Sequence, residues 1–113
     1  MEMLVAVLNR QEHVKPVLRG LLDLGISGAT VLRSSGMGRT LSDEVPIFGR
    51  QMIMGQDVFN TTIFSVIEEE ELVSASIDVI SRIVGDLNQP GTGFLFTVPV
   101  SRLVSARSRG GNR

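Results

Sequence analysis

The spacing of apolar positions along this chain switches repeatedly between a period of two and a period near 3.6. Met3 to Asn9 alternates while staying apolar, with Leu4, Ala6 and Leu8 on one face and Val5 and Val7 on the other, which predicts a strand. Gln11 to Leu24 then carries Val14, Val17, Leu18, Leu21 and Leu22 at helical spacing. Pro16 suits this helix only in its first turn, so the helix proper is expected to begin near His13 or Val14. Gly25 is a fitting stop, and Ile26-Ser27-Gly28 turns the chain into a second β-type run, Ala29 to Arg33. After a long polar connection the same three elements return: Thr61 to Ile67, a helical stretch from Glu69 to Val84, and Phe94 to Val100. The second helix opens with acids, which suit the positive end of its dipole, and its buried stripe is Leu72, Val73, Ser76, Ile77, Ile80, Ile83 and Val84. Gly85-Asp86 ends it, and Asn88 to Gly93 reads as a glycine–proline turn.

Two strand–helix–strand halves in one short chain predict an α+β, ferredoxin-like βαββαβ sandwich. Its four-stranded antiparallel sheet would carry two helices on one face, with a long loop between strands 2 and 3. Because both faces of the first strand are apolar, the face opposite the helices also needs a cover. Association between copies is the favoured cover, and folding back of the long connection is the alternative. That connection, residues 40–60, has no sustained period, and it mixes Leu41, Val45, Ile47, Phe48, Met52, Ile53 and Met54 with polar residues. A stretch of this length in a small domain is usually functional or disordered, and its apolar content argues against simple disorder.

Composition narrows the function. The 113 residues make a single domain, 1–113, with residues 107–113 read as a flexible basic tail. No cysteine and a single histidine leave no disulfide framework, thiolate nucleophile or histidine metal cluster. No apolar run has the length of a bilayer span, and Met1 to Leu8 lacks the basic start of a leader, so no membrane insertion and a cytoplasmic location are expected. A formal net charge of −1, with phenylalanine as the sole aromatic type, does not fit a nucleic-acid surface. Charge is nonetheless uneven: Glu68 to Glu71 form an acidic block, while Arg102, Arg107, Arg109 and Arg113 make the end basic. Lys15 is the sole lysine, so nearly every cation is a guanidinium, the group suited to bidentate phosphate or carboxylate recognition.

Candidate chemistry lies in two glycine-marked turns. Gly36-Met37-Gly38-Arg39 follows the second strand, where glycines let backbone amides approach a ligand and the arginine can hold a phosphate. It is not a dinucleotide fingerprint, because the third glycine and a following helix are missing. Gly91-Thr92-Gly93 enters the last strand. Neither turn is specific alone, but their order is: Gly25 to Val31, then Gly36 to Arg39, a long loop, a helix, Gly91 to Gly93 and Val98-Pro99-Val100. This order resembles the P-II family of signal-transduction proteins, in its divergent P-II-like branch, from Met1 to about Arg107.

The resemblance implies a regulatory homotrimer with three clefts between subunits, each taking an adenine nucleotide (ADP, AMP, ATP or cyclic AMP) as an effector, with no tightly bound cofactor. The long connection would be the T-loop that touches a target protein, such as a membrane transporter or a metabolic enzyme. By position, Thr30 and the turn Gly36, Met37, Gly38, Arg39 would lie near base and phosphates. Val66 would line the adenine pocket, Gly91, Thr92 and Gly93 would cradle phosphate, and Arg107 would reach it from another subunit. Two departures weaken a magnesium triphosphate. Phe94 stands where the family has a lysine, and Ser105 replaces a second arginine, each removing a charge-assisted contact worth roughly 1.5–3 kcal/mol. The 40–60 connection has no tyrosine, so uridylylation there is excluded; Ser42 is a modifiable but ordinary serine.

The remaining candidates have plainer readings. Neighbouring carboxylates on a helix point in different directions, so Glu68 to Glu71 read as a solvated helix start rather than a metal or acid–base pair. His13 is expected at the surface without a partner acid. Met52 and Met54 fit either a partner contact or packing within the loop. No catalytic constellation is visible, so an enzyme is not expected. Two alternatives stay open: a trimeric interaction module without nucleotide binding, and a small ferredoxin-like enzyme working with Asp43, Glu44 or Asp57.

Overall fold

The computed structural model describes residues 1–41, 44, 59–89 and 91–105. Ser42, Asp43, Asp57, Met52, Met54, most of the 40–60 connection and the basic tail with Arg107 therefore lie outside the described residues.

The strands are β1 (Glu2–Leu8), β2 (Thr30–Ser34), β3 (Asn60–Ile67) and β4 (Gly93–Pro99); the helices are α1 (Val14–Asp23), α2 (Met37–Thr40) and α3 (Glu70–Val84), with a 3-10 turn at Gln11–His13. The sheet has the order β2-β3-β1-β4, and every pairing is antiparallel, so the predicted ferredoxin-like topology is the one observed. Predicted strand and helix boundaries differ from these by at most three residues.

Alternation along β1 and β3 builds the core. Leu4, Ala6, Leu8, Ile63 and Ile67 face the helices and meet Val17 and Leu21 of α1 and Val73 and Ile80 of α3. Polar side chains buried on this side are satisfied: Ser76 Oγ donates to the Leu72 carbonyl at 2.7 Å, and Thr61 Oγ1 accepts from Gln11 Nε2 at 2.7 Å. Pro16 sits in the first turn of α1, as its missing amide requires. The helix closes in a Schellman arrangement, with Gly25 N–H bonded to the Leu22 carbonyl and Ile26 N–H to the Leu21 carbonyl. Gly25 has φ +90°, the left-handed conformation that the reading of a stop there requires.

Two local expectations are corrected. His13 is half-buried rather than on the surface, because the 3-10 turn folds it against the start of α1; its Nδ1 is enclosed and has no hydrogen-bond partner among the described residues. The Gly36-Met37-Gly38-Arg39 turn is itself helical: Gly36 caps a single turn, α2, formed by Met37 to Thr40. Thr40 N–H and Thr40 Oγ1 both bond the Gly36 carbonyl at 3.0 Å, and Leu41 N–H bonds the Met37 carbonyl at 3.0 Å. Neither Gly36 nor Gly38 has positive φ, so the glycines here give close approach rather than left-handed backbone.

The sheet face away from the helices stays apolar and partly open. Leu32, Phe94 and Phe96 are 48%, 55% and 44% exposed, and the two phenylalanine rings stack with centroids 6.2 Å apart. Val5 lies between Phe64 and Phe96 in register, and Val7 between Thr62 and Phe94, so these residues form one continuous patch across β3, β1 and β4.

Candidate functional site

β3 is longer than β2, and that difference makes a cleft. Their pairing ends at Thr30 opposite Phe64, so Ser65, Val66 and Ile67 have no β2 partner on that side. The α1–β2 loop swings past this bare edge and is tied to it by Ser65 Oγ, which donates to the Gly28 carbonyl at 2.9 Å. Between loop, strand edge, the start of α3 and the segment after β4 lies a cleft of about 530 Å³. Its apolar wall includes Phe64, Val66, Leu72 and Leu103; Thr30, Ser65 and Ser105 add hydroxyls, and Glu68 and Glu69 stand at its side. A cleft of mixed apolar and hydroxyl lining with a strand edge along one wall offers both main-chain polar groups and apolar cover to a small ligand.

The sequence-predicted site residues divide into three places. Thr30 and Val66 line the cleft. Gly36, Met37, Gly38 and Arg39 follow the far end of β2, about 13 Å along the strand from Thr30. Gly91, Thr92 and Gly93 enter β4 at that same end of the sheet, since Gly93 and Thr61 both lie opposite Leu8. β2 and β4 are, however, the two outer strands, three interstrand spacings or roughly 14 Å apart. One chain does not bring the two glycine turns together. Arg107 lies outside the described residues.

Between the turns runs a polar network at the sheet end. Ser34 Oγ bonds Asn60 Oδ1 and lies 2.9 Å from Thr62 Oγ1, and Asn60 Nδ2 reaches Asn9 Oδ1 at 3.5 Å. The Asn60 amide nitrogen also lies 3.8 Å from where a Cβ on Gly36 would stand, so the turn rests against this network. Gly93 has φ +129°, and a Cβ there would overlap the Val7 carbonyl oxygen. Its lack of a side chain therefore serves strand pairing directly. Arg39 and Arg33 both place their guanidinium carbons over the Phe59 ring, at 5.1 Å and 4.6 Å from its centroid.

Phe94, in the position expected of a lysine, turns onto the open apolar face beside Phe96 and adds surface instead of charge. At the other end of the sheet the acidic block gains a partner that the sequence did not indicate. Glu70 is held above the usual carboxylate range, first by a hydrogen bond with the Glu2 side chain and then by repulsion from it. Ser27, Gly28, Phe64, Ser65 and Leu103 also line the cleft, and no sequence pattern marks them for it. The stretch Gly25 to Val31 stands out in the sequence by its order, but which of its residues face a cavity depends on where β2 stops pairing. Among the described residues there is no group of three or more histidine or acidic side chains arranged for a metal, and no helix long and apolar enough to cross a membrane.

A solved structure with the same architecture, Arabidopsis thaliana PII bound to citrate, superposes with a TM-score of 0.67 over 98% of this chain and 85% of that one, at 23% identity. At that identity the likeness speaks for the fold. The family model for nitrogen regulatory protein P-II matches residues 1–110, nearly the whole chain. That match covers well over half of the sequence, and the chain belongs to the P-II family of nitrogen regulatory proteins.

Proposed function

We propose that this protein is a regulatory homotrimer that binds an adenine nucleotide in clefts between its subunits and signals through the 40–60 connection. One observation carries the reading. The two glycine turns share an end of the sheet but sit on its opposite edges, too far apart in one chain to hold one phosphate. A neighbouring copy, bringing its β4 edge to this chain's β2 edge, would unite them. The exposed apolar face gives such copies a reason to associate, since burying its phenylalanines and Leu32 removes apolar area from water.

In this arrangement the adenine ring lies in the cleft between Val66 and the Gly25–Gly28 loop, its edge against the unpaired backbone of Ser65 to Ile67. The sugar follows β2, and the phosphate reaches Gly36 to Arg39, with Gly91 to Gly93 and Arg107 from neighbouring subunits. Binding at the base of the 40–60 connection would change how that connection meets a target, a transporter or a metabolic enzyme. No step of bond making or breaking is involved, so the role is regulatory rather than enzymatic.

Calorimetry with AMP, ADP, ATP and cyclic AMP tests the reading. At least one should bind the wild type, and Arg39→Ala should weaken it roughly 10- to 100-fold, the loss of one charge-assisted contact, without changing the oligomer. Arg107→Ala should act in the same direction. Equal affinities in all three proteins would refute the phosphate assignment. The exposed Phe94 favours a second reading, a trimeric interaction module without nucleotide, because this position supplies apolar surface instead of a cation. That reading requires no heat with any of the four nucleotides.

A further inference from the structure

The chain after β4 leads into the wall of the cleft. Pro99 at the end of β4 lies opposite Glu2, and Glu2 lies opposite Ile67, so these residues stand side by side at one end of the sheet. Val100 N–H bonds the Met1 carbonyl at 3.1 Å, and the chain then passes the end of β1 to reach β3, where Leu103 and Ser105 help to line the cleft. The described chain stops there, and the sequence continues as Ala106-Arg107-Ser108-Arg109-Gly110-Gly111-Asn112-Arg113.

What the cleft offers matches what this segment carries. Its bare strand edge, Ser65 to Ile67, has main-chain groups that β2 does not pair, and such an edge accepts an extended chain as an added strand. The charged residues that line it are Glu68 and Glu69, both exposed and without an ion-pair partner among the described residues, and no lysine or arginine lines it. Residues 106–113 carry Arg107, Arg109 and Arg113 and no acid. At about 3.3 Å per residue, the stretch from Ser105 to Arg109 reaches roughly 13 Å, more than the length of the bare edge. An exposed arginine–carboxylate contact is weak by itself. Tethering at the cleft wall, however, holds the segment there at an effective concentration on the order of millimolar, so weak contacts suffice.

We propose that, without ligand, the chain's own residues 106–113 dock in this cleft along the Ser65–Ile67 edge, with Arg109 against Glu68 and Glu69. The segment is then an internal competitor for the cleft. The docking itself needs no nucleotide. Its consequence rests on the nucleotide reading: a base entering the cleft displaces the segment and frees Arg107 for the phosphate.

The chain has no cysteine, so Asn112→Cys takes a single nitroxide spin label. In nuclear magnetic resonance of the full chain, that label should broaden the amides of Gly28 and Ser65 to Ile67. It should spare Leu8 and Gly93 at the opposite end of the sheet. The broadening should fade at high salt, in Arg109→Gln and in the double variant Glu68→Gln with Glu69→Gln. Cleft amides that stay sharp, or broadening indifferent to salt and to these substitutions, would overturn the docking. Isotope-labelled chains without the cysteine, refolded together with spin-labelled chains without isotope, should stay sharp; broadening there would put a neighbour's segment in the cleft and overturn docking of the chain's own. Adenosine should sharpen the cleft amides and bind Arg109→Gln roughly two- to fivefold more tightly than wild type. Adenosine that binds without sharpening them overturns the competition. Adenosine bound by neither protein overturns the nucleotide reading, while salt-sensitive broadening upholds the docking.

Discussion

Gly93→Ala separates a glycine needed for folding from a glycine needed for a ligand. The position has φ +129°, far from the conformations that a side chain accepts, at a cost of about 1–3 kcal/mol. The added methyl would also overlap the Val7 carbonyl oxygen and lie 3.3 Å from Val7 C and 3.4 Å from Leu8 Cα, all backbone of the central strand β1. Backbone cannot step aside as a flexible side chain can, so crowding adds about 1–3 kcal/mol. The total, roughly 2–6 kcal/mol, is a large share of the 5–15 kcal/mol that holds a typical domain folded. Gly25→Ala is the matched control. Its φ is +90°, but nothing lies within 4 Å of the added methyl, so it bears the backbone cost without the crowding. Thermal and urea denaturation, without nucleotide, should show Gly93→Ala losing roughly 10–20 °C in Tm and Gly25→Ala clearly less. A Gly93→Ala protein as stable as Gly25→Ala would refute the close approach of β4 to β1. Loss of nucleotide binding in this variant would then report a displaced strand, so contacts at this turn are better probed through Thr92.

Two further perturbations follow from the same geometry. Glu70 takes up its proton above the usual carboxylate range in the folded state, through the Glu2 hydrogen bond and charge. Its stabilising contribution is therefore complete below the ordinary carboxylate pKa and is lost as pH rises through the folded value. Glu70→Gln should raise Tm at pH 7, with the gain shrinking on acidification; an equal gain at every pH would contradict the pairing with Glu2. Phe96→Asp places a charge in the middle of the exposed apolar face and should yield a folded monomer by light scattering, whereas an unchanged oligomer would show that copies associate elsewhere.

How much of this was legible in the sequence depended on the range of the interaction. Strands β1 and β3 and both long helices declared themselves because each repeats one local rule many times: Leu4, Ala6 and Leu8 alternate, and Val17 and Leu21 recur at helical spacing. Gly25 and Gly85 were legible as stops because a helix end is a local event. The one-turn helix α2 was not, since four residues give no period to detect. The cleft was invisible for a different reason. It exists because β3 outruns β2, and the register that leaves Ser65 to Ile67 bare is set by pairing between distant segments. The contact between Glu2 and Glu70 likewise joins the first strand to the start of α3, far apart in the sequence. Arg39 was recognisable as a candidate beside its glycines, but Arg33 and Phe59 became meaningful only when folding stacked three separated residues.

Native mass spectrometry across a titration of the tightest-binding adenine nucleotide addresses the shared site most directly. Nucleotide should appear on trimers alone, filling up to one site per chain, and Phe96→Asp monomers should carry none. A monomer that retains the nucleotide at wild-type affinity would contradict a site built from two copies.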